Sequence, residues 1–240
     1  MKMLFKPVSG AKQFVQNSEK SSVIGLTIFL VIIQGILGMW KVNQVISTIQ
    51  SIALDLVQKI SNIANLIIPG SSGKMLSTND IMDLTGEMSK VRSLINIPYG
   101  KVFLQNSAVF LCAIITLFII IYLGTTILSK DKKDPFVVYK ASLIVLVPTL
   151  YFEIFSILFS YVLFYIGAGV FLIGVIVSLA CLTVIIREEL FVDENHTVFI
   201  IAVSFLGIFI IVSMCMQKFL VSNISDIIMS VTNVMKNVRF

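Results

Sequence analysis

Charge is what this chain is short of. Only 13% of its 240 residues are Asp, Glu, Lys or Arg, while 57% are hydrophobic. Soluble domains carry about a quarter charged residues, so a water-exposed globular fold is excluded. His196 is the single histidine, which removes most metal-site and catalytic-triad schemes. The three cysteines, Cys112, Cys181 and Cys215, stand far apart in apolar runs with no CxxC spacing. The simpler reading makes them small buried hydrophobes, against metal or redox work. No HExxH, P-loop, Ser-His-Asp set or paired carboxylates in a cleft can be assembled. An enzyme is therefore not expected, and no cofactor is implied. Lys and Arg form no run long enough for the basic patch that nucleic-acid binding needs, so no nucleic-acid partner is expected. The net charge of +5 reads instead as a topology signal.

What the chain has in quantity is long apolar runs. "SVIGLTIFLVIIQGILGMW" (22–40) follows a polar segment, 1–21, carrying Lys2, Lys6, Lys12 and Lys20. No A-x-A-like cleavage site follows it; Trp40 and Lys41 stand there instead, so it reads as an uncleaved first span with an interfacial Trp at its exit. The second span is 107–128, and a lysine-rich loop, 129–140, leads into an almost unbroken apolar stretch from 141 to 186. As one helix that stretch would measure about 69 Å, more than twice the roughly 30 Å hydrocarbon core. It must fold back, and "YIGAGV" (165–170), with Gly167 and Gly169, is the expected turn. That places the third and fourth spans at 141–164 and 170–186, an acidic loop at 187–196 and the fifth span at 197–216. The fold class is all-α: a polytopic membrane protein with five transmembrane helices and an extracytoplasmic helical hairpin.

The side of each loop follows from Lys and Arg in short segments. The N-terminal segment and the loop after the second span carry four each, and five spans place both on one side. The six in 41–101 are spread over a segment long enough to count for less. The N-terminus is accordingly expected in the cytoplasm and the C-terminus outside, and the Lys and Ile usage suggests the cytoplasmic membrane of a bacterium.

The segment 41–101 is patterned as two helices. In the first, Val45, Ile49, Ile52, Leu56, Ile60 and Ile63 recur at spacings of three and four, with Gln44 and Thr48 off the stripe. Pro69-Gly70 ends it, and a second helix is signalled over 77–95, with Ser77 as its N-cap. The tail, 217–240, repeats the theme with Ile227 and Val231. Three uses of these stripes remain open: packing on one another as a small bundle, lying in the lipid headgroup region, or receiving a partner's helix. Membrane lipid and another membrane protein, or a second copy of the chain, are the partners implied.

Glu153 is the only acid deep in an expected span. A charge at the bilayer centre costs about 2.5 kcal/mol or more on insertion scales, so an acid there marks a candidate site. Gln34, Thr149 and Ser156 are its candidate hydrogen-bond partners, and Pro148 kinks the helix nearby. A proton- or cation-handling site would use this geometry, and so would a structural clasp between spans. "REEL" with Asp193 and Glu194 reads as a solvated acidic loop or a dock for a basic segment.

The run "KASLIVLVPTLYFEIFSILFSYV" (140–162), a Gly-bearing turn, and "GVFLIGVIVSLACLTVIIREELFVDENHTVFIIAVSFLGIFIIV" (169–212) together resemble bacterial Yip1-like membrane proteins. "FKPVSGAKQFVQNSEKSSVIGLTIFLVIIQGILGMWKVNQV" (5–45) is similar to the start of such proteins. The resemblance leaves out the 41–100 insert. It implies five spans, a cytoplasmic N-terminus and an accessory role beside an ABC-type exporter or in protection from membrane-active toxins. The vesicle-traffic role of eukaryotic relatives does not carry over, because residues 1–22 lack their Asp-Leu-Tyr-Gly-Pro-type motif.

Overall fold

The computed structural model describes residues 6–67, 98–128 and 133–237, with side chains described outside 49–67, 220 and 223–237. Every regular element among the described residues is an α-helix. In chain order they are α1 (Pro7–Asn17), α2 (Lys20–Ile67), α3 (Tyr99–Leu128), α4 (Pro135–Ser160), α5 (Phe164–Glu188) and α6 (Glu194–Asn237). Five of them, α2 to α6, are long and apolar enough to cross a membrane. In a bilayer the backbone has no water to bond, and a helix satisfies its N–H and C=O groups within itself. The protein is a polytopic helical membrane protein.

The chain falls into two compact units, Met1–Trp40 with Tyr99–Phe219, and Lys41–Pro98 with Leu220–Phe240. In the first, α4 is the hub. Its Val138, Ala141, Ile144 and Val145 join Leu117 and Ile121 of α3, Leu182, Ile185 and Ile186 of α5 and Ala11 and Val15 of α1. Its Leu143, Leu150 and Ile157 join Val23, Leu30 and Leu37 of α2 and Phe110 and Ile114 of α3 in a second cluster. Within the most apolar stretch of each span, 44% of α4 is buried against 11% of α6, so α6 is the outermost helix. In the second unit the described side chains are few: the Gln44 amide donates to the Thr48 hydroxyl at 3.0 Å, and Ser47 bonds the Gln44 carbonyl at 2.7 Å.

Several boundaries differ from the sequence reading. No break falls at Lys41, since α2 is helical from Lys20 to Ile67. Likewise α6 continues through residue 217 to Asn237 as one helix. The polar segment 1–21 contains α1: Pro7 at its first turn presets the helical φ, and Val8, Ala11, Phe14 and Val15 repeat at helical spacing. The fourth helix starts at Pro135, where the Asp134 carboxylate caps it by accepting from the Phe136 N–H at 3.0 Å.

The turn between α4 and α5 is at Tyr161–Leu163, not at 165–170. Leu163 is extended (φ −149°, ψ 121°), and its carbonyl accepts from Ile166 and Gly167, which starts α5. Gly167 serves close packing instead: a Cβ there would collide with the Ser160 hydroxyl. Gly174 does the same two turns on, where a Cβ would sit 2.5 Å from Cβ of Phe152. The other tight connection, between α5 and α6, places Phe191 at φ 51°, with Leu190 and Val192 on either side buried.

These packing roles separate two glycines of one helix. Gly174→Ala is expected to destabilise by about 1–3 kcal/mol through overpacking on Phe152. Gly169 has nothing within 4 Å of a new Cβ, so Gly169→Ala should stabilise by up to about 1 kcal/mol through helix propensity. Thermal unfolding of the two variants in detergent micelles checks the contrast.

A polar seam within the spans as the candidate functional site

Four polar residues of α4, Thr149, Glu153, Ser156 and Ser160, are spaced by four, three and four, which puts them on one helix face. Glu153 is 6% exposed, and the Gln34 amide of α2 donates to its Oε2 at 3.1 Å. Pro148 lies within α4 and has no N–H, so the Ile144 carbonyl loses its ordinary helical partner. The neighbouring α5 fits this weakened turn. Ser178 Oγ accepts from the Thr149 N–H at 3.1 Å and lies 2.7 Å from the Thr149 hydroxyl. Close approach at Gly174 lets the Thr149 hydroxyl also come within 3.5 Å of the Gly174 carbonyl.

The seam continues along α2. Thr27 Oγ1 lies 2.9 Å from the Tyr139 hydroxyl of α4, Ser107 of α3 donates to the Val31 carbonyl at 3.0 Å, and the Trp40 indole donates to the Tyr161 hydroxyl at 3.2 Å. On α2 the order is Thr27, Gln34, Trp40; the partners Tyr139, Glu153 and Tyr161 keep that order, as two helices crossing in the same direction require. Four candidate residues from the sequence thus gather here: Glu153 and Gln34 directly bonded, with Pro148 and Thr149 one turn away. Ser178 and Tyr139 complete it: the Gly174-xxx-Ser178 spacing marks a close helix approach in the sequence, whereas Tyr139 does not stand out because hydroxyls are common in apolar spans.

A second polar set closes the end of the bundle that holds α1. Lys140 is 6% exposed and donates to the Val15 carbonyl in the last turn of α1, where a cation also meets the negative end of the helix dipole. Its ammonium lies 5.4 Å from the Phe136 ring centroid, and Lys20 lies 5.9 Å from the same ring. Lys12 pairs with Glu188, and the Gln16 amide donates to Glu189 Oε1 at 2.9 Å. The acidic run at the end of α5 therefore holds a segment of its own chain. Arg187 pairs with Glu194, and Asp193 bonds the His196 ring. Desolvation pushes the Asp193 carboxyl up, but the bonds it accepts from the His196 ring and backbone, and the charge of that ring, outweigh this and hold it below its ordinary value. Lys140 was legible only as a topology charge. The helical spacing of Val8, Ala11 and Val15 is the signal that finds α1.

Of the apolar contact stripe, Val45 is 39% exposed and Gln44 beside it is buried. Both stand on the unbroken helix α2, which carries on past Lys41. Ile49, Ile52, Leu56, Ile60, Ile63, Ile227 and Val231 lie outside the described side chains, and the second helix of the hairpin, 77–95, lies outside the described residues.

No family model, curated protein or solved structure matches this chain.

The α1 clasp separates its ion pair from its apolar anchor. Lys12 and Glu188 are 28% and 54% exposed, so Lys12→Glu should cost less than about 1 kcal/mol, recovered by adding Glu188→Lys. Val15→Asp puts a carboxylate at a position 2% exposed and should release α1 outright. Limited proteolysis within residues 6–19 in proteoliposomes reads both: slow for the charge variants, fast for Val15→Asp.

Proposed function

We propose that the protein is a non-enzymatic integral membrane protein that works by contact with another membrane component. The resemblance to Yip1-like proteins points to an ABC-type exporter or a membrane-active toxin as that component. It also points to the bacterial cytoplasmic membrane, with the N-terminus inside. One observation supports this reading most: the polar side chains of the seam bond one another across helix pairs, Gln34 to Glu153 and Thr149 to Ser178. Meanwhile α6 leaves Phe199, Phe205, Leu206 and Phe209 at least half exposed. In a bilayer such a surface meets lipid or another protein's span, and an outermost helix is the one most open to a partner.

Mild crosslinking in intact membranes, followed by mass spectrometry of the purified chain, tests the proposal. The expected product joins a different membrane protein through the α6 span or through the segments 42–67 and 224–238. Crosslinks to copies of itself alone, or none, would overturn it.

A second reading, a small proton- or cation-coupled carrier, is favoured by one feature: a buried carboxyl in mid-span one turn from a proline break. Proton flux into proteoliposomes separates the two. On the first reading the wild type leaks no faster than empty vesicles, and Glu153→Gln still captures the partner. A wild-type flux that Glu153→Gln abolishes would put the carrier in its place.

A further inference from the structure

The outermost span, α6, meets α3 at points that fix how the two antiparallel helices align. A Cβ on Gly124 of α3 would sit 2.8 Å from Cγ1 of Ile200 on α6. A Cβ on Gly207 of α6 would sit 2.5 Å from Cδ1 of Ile120 and 3.6 Å from Cγ2 of Thr116 on α3. Glycine at both positions lets the backbones approach more closely than side chains would allow. Cys112 lies as far back from Ile120 on α3 as Cys215 lies onward from Gly207 on α6. That distance is about 12 Å along each antiparallel helix, so the two cysteines stand at the same level. The thiols of Cys112 and Cys215 lie close enough to act on each other. Both are free and partly exposed, whereas Cys181, on α5, is fully buried.

We propose that Cys112 and Cys215 are a dithiol pair that closes reversibly to a disulfide and staples α6 to α3. Cys215 is three residues before Lys218, the first charged residue after the apolar run of α6, so a thiol oxidant arriving at that edge of the bilayer is within reach. The oxidant is a disulfide-bearing molecule. One protein thiolate attacks it, forming a mixed disulfide and releasing one thiol. The second protein sulfur displaces the remaining half, and its proton leaves with that half or enters solvent. The protein loses two electrons and two protons, and the oxidant departs as two thiols. Closure fixes the span least held by packing, and reduction returns it to its glycine contacts.

Dipyridyl disulfide, which crosses membranes and reports each displacement as a coloured pyridinethione, is the probe. It is applied to the full chain carrying Cys181→Ser. The expected result is two pyridinethiones per chain, no retained pyridyl group, and a peptide joining Cys112 to Cys215 that dithiothreitol separates. In that background Cys112→Ser and Cys215→Ser should each release one pyridinethione and keep an adduct on the cysteine that remains. A chain with both cysteines that keeps adducts on both, or reacts at neither, would overturn the pairing.

Discussion

The joint between α2 and α4, where the Gln34 amide meets the Glu153 carboxyl, is the constraint around which the rest of the bundle is arranged. An apolar span tolerates an acid in its middle only if another polar group reaches it, because nothing in the hydrocarbon can take that role. The bond therefore selects which face α2 turns toward α4. Once α2 is set, Thr27 meets Tyr139 on one side of the joint and Trp40 meets Tyr161 on the other. The apolar cluster of Leu30, Leu37, Phe110, Leu143 and Leu150 fills the space between them. Polar contacts supply the register and apolar contacts the bulk of the packing. That division follows from the solvent: lipid is as apolar as leucine, so side-chain burial alone discriminates weakly between one helix face and another.

Proline and glycine extend the same logic to α5. Pro148 weakens one turn of α4, and Gly174 lets α5 come close enough for Ser178 to bond the Thr149 N–H. At the other end of the bundle the problem is water. There α1 covers the ends of α4 and α5 with Ala11 and Val15, and Lys140 reaches up to the carbonyl end of the same short helix. A buried lysine so close to a span terminus places its stem among apolar side chains and its ammonium on a helix end.

The five spans and the all-helical class were legible because run length and low charge depend on composition, which survives without any knowledge of packing. The joint was half legible. Glu153 stood out by its cost, but Gln34 was one of several possible partners until packing brought α2 against α4. The turn at Tyr161–Leu163 was misplaced because Gly167 and Gly169 invite a turn, while Gly167 serves close helix contact instead. The helix α1 went unread because its polar residues outnumber its apolar ones and its four-residue stripe is short. The meeting of Cys112 with Cys215 was out of reach, since more than a hundred residues separate them and only the alignment of α3 and α6 joins them. Functional identity is a different matter. The seam is made of common hydroxyls and one amide–acid pair, and these groups serve helix packing and ligand binding equally well.

A double-mutant cycle on the α2–α4 joint is the most direct measurement, with Gln34→Leu, Glu153→Leu and the combined variant unfolded reversibly in mixed micelles. Loss of Gln34 alone should destabilise by about 0.6–2 kcal/mol, the span between double-mutant-cycle and model-peptide values for hydrogen bonds between membrane helices. The combined variant should lose less than the sum of the single losses, because apolar side chains then fill the place of both polar partners. Strictly additive losses would contradict the joint, since they would show that the amide and the carboxyl do not depend on each other.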